Sequence, residues 1–155
     1  MKKRLLCVLA AVLGLSLSAF QLVSQDRPEN AEAIAAAMAA LDDFMLAFNS
    51  KDMEAWAATL NYPHVRFASG GVTVWGSAEE FAMGRSFENL ARIGWDHSHW
   101  LSRDVTMASP DKVHIATVFQ RFNDKNEPIA KYQSLYLVTL VDGHWGTQAR
   151  SSLAP

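Results

Sequence analysis

A chain of 155 residues, half of them apolar and 19% charged, is long enough for one domain with a single buried core and too apolar for a disordered or fibrous protein. The net charge is −2, and the cations form no basic run beyond the first four residues, so the electrostatic footprint of a nucleic-acid or anionic-lipid binder is missing. The one cysteine, Cys7, lies in an apolar leader; without it the chain has no disulfide, thiol nucleophile or thiolate metal ligand.

Met1-Lys2-Lys3-Arg4 is a positive n-region, Leu5 to Leu17 an apolar h-region, and Ser16, Ser18 and Ala19 are small residues suited to cleavage. This pattern predicts a secretion signal over residues 1–24 and export to the periplasm or beyond, with an uncleaved anchor over Leu5 to Val23 as the alternative. Loss of Lys2, Lys3 and Arg4 with the signal makes the domain more acidic by three charges, with nothing left to hold it to a membrane. Residues 25–30 read as a linker and 31–155 as the domain.

Ile34, Met38, Leu41, Met45 and Phe48 recur at spacings of four and three, which predicts a long amphipathic helix. Asp52 to Leu60 is a second, short helix carrying Trp56 and ended by an Asn61-Tyr62-Pro63 turn. His64–Ser69 and Val72–Trp75 flank Gly70-Gly71, a hairpin signal. Ser77-Ala78-Glu79-Glu80 matches a capping box opening a third helix through Phe81, Phe87 and Leu90 that stops at Gly94. The period then becomes two, and strands are expected at His97–Met107, Val113–Phe122, Ala130–Val141 and Trp145–Ser152, joined by turns short enough for antiparallel neighbours.

Several side chains are candidates for chemistry. His97 and His99 share one face of a strand at a spacing that serves metals, but no third ligand is evident, so neither metal nor other cofactor is assigned. Tyr132, Ser134 and Tyr136 alternate onto one face, where a tyrosine hydroxyl can donate to a developing oxyanion. Arg150 shares its face with Gln148 and lies opposite Trp145; pointed inward it favours an anionic ligand. On the first strand, polar His64 and Arg66 alternate with apolar Val65 and Phe67, and either face can be the inner one. Asp43 sits at the edge of the helical stripe, while Trp56 and Tyr62 are candidate ligand-lining aromatics. No phosphate loop, G-x-S-x-G elbow, H-E-x-x-H or calcium loop is present.

The order helix, helix, hairpin, helix and a run of long strands, together with Ala40-Leu41-Asp42-Asp43-Phe44, Phe48-Asn49-Ser50-Lys51-Asp52, Tyr62-Pro63-His64-Val65 and Asp142-Gly143-His144-Trp145, resembles the nuclear transport factor 2-like superfamily. That superfamily includes SnoaL-like cyclases, steroid isomerases, scytalone dehydratase and the association domain of calcium/calmodulin-dependent kinase. The closing Arg150-Ser151-Ser152-Leu153-Ala154-Pro155 is similar to the end of the kinase association domain. The resemblance implies an α+β cone, a curved antiparallel sheet wrapped on the long helix, with a pocket for a small apolar or anionic molecule and assembly into a homodimer or larger. It also implies a general-base position near Ala68-Ser69, where this chain has no base, and a dehydratase-type histidine pair in which His99 takes one role while Thr117 stands at the other. A binding protein is thus expected first, a SnoaL-like isomerase, dehydratase or cyclase using His99 or Asp43 as base and Tyr132 as acid second, and an oligomerisation module third. The closing stretch implies that Arg150 lines the pocket.

Overall fold

The structure, a computed structural model, describes residues 28–154 apart from Ser69, and the side chains from Asn30 onward. The signal expected at 1–24 lies outside the described residues. Helix α1 runs over Pro28–Ser50, α2 over Met53–Ala58, α3 over Ala78–Met83 and α4 over Glu88–Arg92. The strands are β1 Leu60–Ala68, β2 Gly71–Trp75, β3 His97–Ser109, β4 Lys112–Phe122, β5 Pro128–Val141 and β6 His144–Ser152. They form one sheet in the order β2-β1-β6-β5-β4-β3, antiparallel except where β1 lies parallel to β6. Among the described residues no helix is long and apolar enough to cross a membrane.

The sheet curves around α1, and the sequence explains why α1 can lie so close. Its buried stripe carries Ala33, Ala37, Ala40 and Ala47 as well as Leu41, Phe44, Met45 and Phe48, so small side chains let the helix approach while the aromatics fill the wider end. Asn49 fastens the helix end to β3 by a reciprocal pair of bonds: its amide donates to the Ser98 carbonyl, and its oxygen accepts from the Ser98 N–H, both at 2.9 Å. Asp52 caps α2 by accepting from the N–H groups of Glu54 and Ala55 at 3.0 Å. Ser77 caps α3, accepting from Glu80 N–H, while the Glu80 carboxylate accepts from the Gly76 N–H one residue before the expected position.

Three readings of the elements are corrected. Asn61-Tyr62-Pro63 is part of β1, which contains a cis Tyr62–Pro63 bond and shifts register against β6 between Leu60 and Val65. The third helix is two short ones, broken at Gly84-Arg85-Ser86. A Cβ at Gly84 would stand 3.1 Å from the Glu80 carbonyl oxygen and 3.2 Å from the Trp75 indole nitrogen, so glycine lets the chain pass close to both before it turns. On β6, Leu137 pairs with Ala149 but Val138 with Thr147, which leaves Gln148 as a bulge. That extra residue reverses the alternation, so Trp145 and Arg150 reach the same concave face instead of opposite ones.

Candidate functional site

The wide end of the cone holds a cavity of about 520 Å³. Phe44, Met45 and Phe48 from α1 and Trp56 from α2 form its floor; Arg66, Ser98, Phe119, Arg121, Tyr136 and Arg150 come from the concave face of the sheet. The broken third helix closes one side with Arg85, Ser86, Asn89, Leu90 and Ile93. The aromatic floor is continuous with the core: Phe48 lies 4.8 Å from both Trp56 and Trp95, and Trp56 5.0 Å from Phe81, all ring to ring.

Four guanidiniums enter this space, and each follows from strand or loop geometry. Arg66 and Arg150 are register partners on the adjacent strands β1 and β6, so they project side by side. Arg121 follows Thr117 and Phe119 on the inward alternation of β4, and its side chain is more than nine-tenths buried. Arg85 is delivered by the break after Gly84. No Asp or Glu among the described residues lines the cavity.

Aromatic faces and a few oxygens surround these cations. The Arg150 guanidinium stands 5.7 Å from the Tyr136 ring and 5.9 Å from that of Phe44, and Nη1 donates to the Tyr136 hydroxyl at 3.3 Å. Arg85 lies 5.1 Å from Trp56 and 5.6 Å from Trp75 and Phe81, in an aromatic cage. Arg121 sits 4.8 Å over the Tyr132 ring. Arg66 donates to the Ala154 carbonyl at 3.5 Å. The Nε atoms of Arg85, Arg121 and Arg150 are buried with no acceptor among the described residues.

Burial and mutual repulsion disfavour the charged form of these groups. Burial, then the charge of Arg150, then that of Arg121 pull Arg66 down to about 10; burial, Arg150 and Arg66 do the same to Arg85, also to about 10. Arg121 is lowered first by burial and also by Arg150, with Tyr132 opposing. His64, on the concave side of β1 and stacked at 5.8 Å on Trp75, falls to about 4. Burial is the main cause; the Arg150, Arg85 and Arg66 charges add to it, against a 2.9 Å bond between Nδ1 and the Thr147 carbonyl that identifies the neutral ring as the Nδ1–H donor.

Of the residues the sequence put forward, Arg150, Tyr136 and Trp56 meet in the cavity. Tyr132 is next to it, half-buried beneath Arg121. Ser134 is buried on the concave side and donates to Ser152 Oγ at 2.8 Å, so it staples β5 to β6. Tyr62 does not line the cavity: its hydroxyl donates to the Ala57 carbonyl at 2.9 Å, and burial raises it to about 12. Gln148 is taken out of line by its bulge.

Both proposed bases are misplaced. Asp43 is exposed on the far side of α1, because Phe44 occupies the inward position. His99 is exposed on the convex face of β3, since Ser98 between the two histidines is the residue that turns inward. His97 and His99 meet edge to face at 5.0 Å there, and no group of three potential metal ligands occurs among the described residues. At the position expected for a carboxylate base, Ala68 has no titratable group and Ser69 lies outside the described residues.

Arg85 and Arg121 were missed. Arg121 was legible in principle, as the one cation on the otherwise uncharged inward series Val113, Ile115, Thr117, Phe119 of β4. Nothing local in the sequence marks Arg85, whose place depends on the break in the helix.

A six-stranded sheet curved around one long helix, with its cavity at the wide end, defines a nuclear transport factor 2-like α+β protein. The chain belongs to the family described as NTF2-like protein (DUF6841), whose model matches residues 31–150. Solved structures share the fold. A ketosteroid isomerase-like protein from Erwinia carotovora atroseptica is 24% identical over 80% of this chain and 98% of its own, with a TM-score of 0.58. A putative scytalone dehydratase from Novosphingobium aromaticivorans is 15% identical over 80% and 85%, TM-score 0.59. A putative calcium/calmodulin-dependent protein kinase II association domain from Xanthomonas campestris is 17% identical over 81% and 87%, TM-score 0.57. No curated protein matches the chain.

Proposed function

We propose that this protein binds a small organic anion in the cavity of its cone, as an exported binding protein to which no reaction is assigned. One observation carries the reading: beside Arg66, the guanidiniums of Arg85, Arg121 and Arg150 enter an otherwise largely apolar cavity with no Asp or Glu among its described lining, and the Nε atoms of those three are buried with no acceptor among the described residues. Buried cations are ordinarily paired, because removing an ion from water costs several kcal/mol that only a close counter-charge returns. An anion with an aromatic or aliphatic body would meet both the guanidiniums and the Phe44, Phe48 and Trp56 surfaces, and about 520 Å³ is within the range of small-ligand sites. The isomerase or dehydratase alternative has lost its base candidates, since His99 and Asp43 stand outside the cavity.

Calorimetric titration of the purified protein with benzoate, phenyl phosphate and benzyl alcohol tests the reading. At least one anion should bind, the alcohol on the order of 100-fold or more weaker, and added salt should weaken the anion. Equal binding of the alcohol, or no binding by either anion, would sink it. Native mass spectrometry of the same preparation checks two companion proposals, signal removal near residue 24 and assembly into a homodimer or larger.

A further inference from the structure

We infer that the ligand carries at least two negative charges, as a phosphate monoester or a dicarboxylate does, and that Arg121 meets the second of them. The inference rests on the anion-binding reading and asks how many charges the site is built for.

The first step is a count. A single carboxylate has two oxygens, which one guanidinium can hold through a pair of parallel bonds. Arg150, beside its register partner Arg66 on the neighbouring strand, already offers such an ion a fork. A monoanion held there leaves the charges of Arg85 and Arg121 without a counter-charge among the described residues that line the cavity.

The second step is the surroundings of those two. The charges acting on Arg85 are other arginines; on Arg121 it is Arg150, and the one side-chain hydrogen bond that favours its charged form comes from Tyr132, a neutral group. Ring faces soften the cost of burying both, but a ring offers no hydrogen-bond acceptor to a guanidinium N–H in its plane. Arg121 is only 6% exposed, its Nε has no acceptor among the described residues, and it lines the same cavity as Arg150. A surplus cation of this kind, more than nine-tenths buried and facing the site, is what a second negative charge requires.

The Arg85 cage and the Arg66–Arg150 pair come from different elements, whereas Arg121 and Arg150 stand on strands of the same sheet on either side of β5. Arg150 is the register partner of Tyr136 on β5 and donates to its hydroxyl, while Arg121 lies over the Tyr132 ring further along that strand. The negative end of the ligand is therefore placed along β5 between Tyr136 and Tyr132, with its apolar body toward Phe44 and Trp56.

Calorimetry with four probes of similar body separates charge from shape: benzoate and benzenesulfonate with one charge, phenyl phosphate and phthalate with two. The expected result is that at least one dianion binds tenfold or more tighter than both monoanions, roughly the gain from one additional charge-assisted contact. The winning dianion names the source, phosphate ester or dicarboxylate. Phenyl phosphate loses its second charge near pH 6, so a lead held by phenyl phosphate should shrink between pH 7.5 and 5.5 while that of benzenesulfonate over benzyl alcohol does not.

R121M should reduce the ratio of dianion to monoanion affinity to within about threefold of unity, and R121K should restore part of it as a point charge without the fork. Circular dichroism confirms that both variants fold. Monoanions equal to dianions, or a ratio that survives R121M, overturn the inference while leaving anion binding intact. Failure of all four probes overturns both.

Discussion

Two adjoining parts of the cone interior, which meet at Phe48 and Trp56, are built on opposite principles. Around Phe48, Trp56, Phe81, Phe87 and Trp95, rings meet edge to face, tilted or stacked at 4.8–5.8 Å, and every neighbour reinforces the next. Around Arg66, Arg85, Arg121 and Arg150, each guanidinium raises the cost of another, and Arg150 acts on all three of its fellows and on His64. A core selected for stability alone would have apolar residues in both parts. The contrast separates a scaffold that specifies the fold from a site that opposes it, and local conflict within an otherwise consistent structure marks function.

Breaking the aromatic cluster should cost most. Trp56→Ala removes the ring shared by Phe44, Phe48, Phe81 and the Arg85 guanidinium, and the expected loss is about 3–5 kcal/mol in urea unfolding. A loss below about 1 kcal/mol would mean that the aromatic cluster is not the keystone of the fold.

Acid should reach the site through His64. Its folded value of about 4 lies below the ordinary 6.5, so between those limits the unfolded chain binds the extra proton. The stability held by the neutral ring is intact above about 6.5 and is lost as pH falls through about 4, to a total of up to about 3 kcal/mol. Carboxylates titrate in the same range, so the measurement is the difference between the native protein and His64→Gln in urea melts from pH 7 to 4. Parallel curves would remove His64 from the account.

Among the guanidiniums the sign of the effect reverses. Arg85→Met keeps a long apolar side chain among Trp56, Trp75 and Phe81 while removing a cation that burial and its neighbours disfavour. The ligand-free protein should gain on the order of 1 kcal/mol, a rise of a few degrees in Tm, and bind phenyl phosphate more weakly. A variant that is both less stable and unchanged in binding would make Arg85 a packing residue.

The scaffold was far more legible in the sequence than the site. The stripe from Ile34 to Phe48 announces α1 because burial on one side imposes its period on every turn. The alternation of Val113 to Arg121 likewise announces β4. The site depends instead on single residues that break those periods. The bulge at Gln148 changes which of Trp145 and Arg150 share a face, and no neighbouring residue type signals it. The helix break that delivers Arg85 is set by the approach of Gly84 to Trp75, a contact between segments that the local sequence cannot reveal. Arg150 was found because the closing stretch resembles a known one, not because of its strand parity.

The smallest expected effect gives the sharpest check on that parity. His99 and Asp43 both looked like catalytic bases, and the structure turns both to solvent: His99 because Ser98 points into the cavity, Asp43 because Phe44 does. His99→Ala and Asp43→Ala should therefore each change stability by less than about 0.5 kcal/mol and leave the affinity for phenyl phosphate the same within error. A fall in affinity on removing His99 would place β3 one residue out of register. Ser98 and Trp100 would then leave the interior with it, and the bonds from Asn49 to Ser98 that tie α1 to this strand would have to be redrawn.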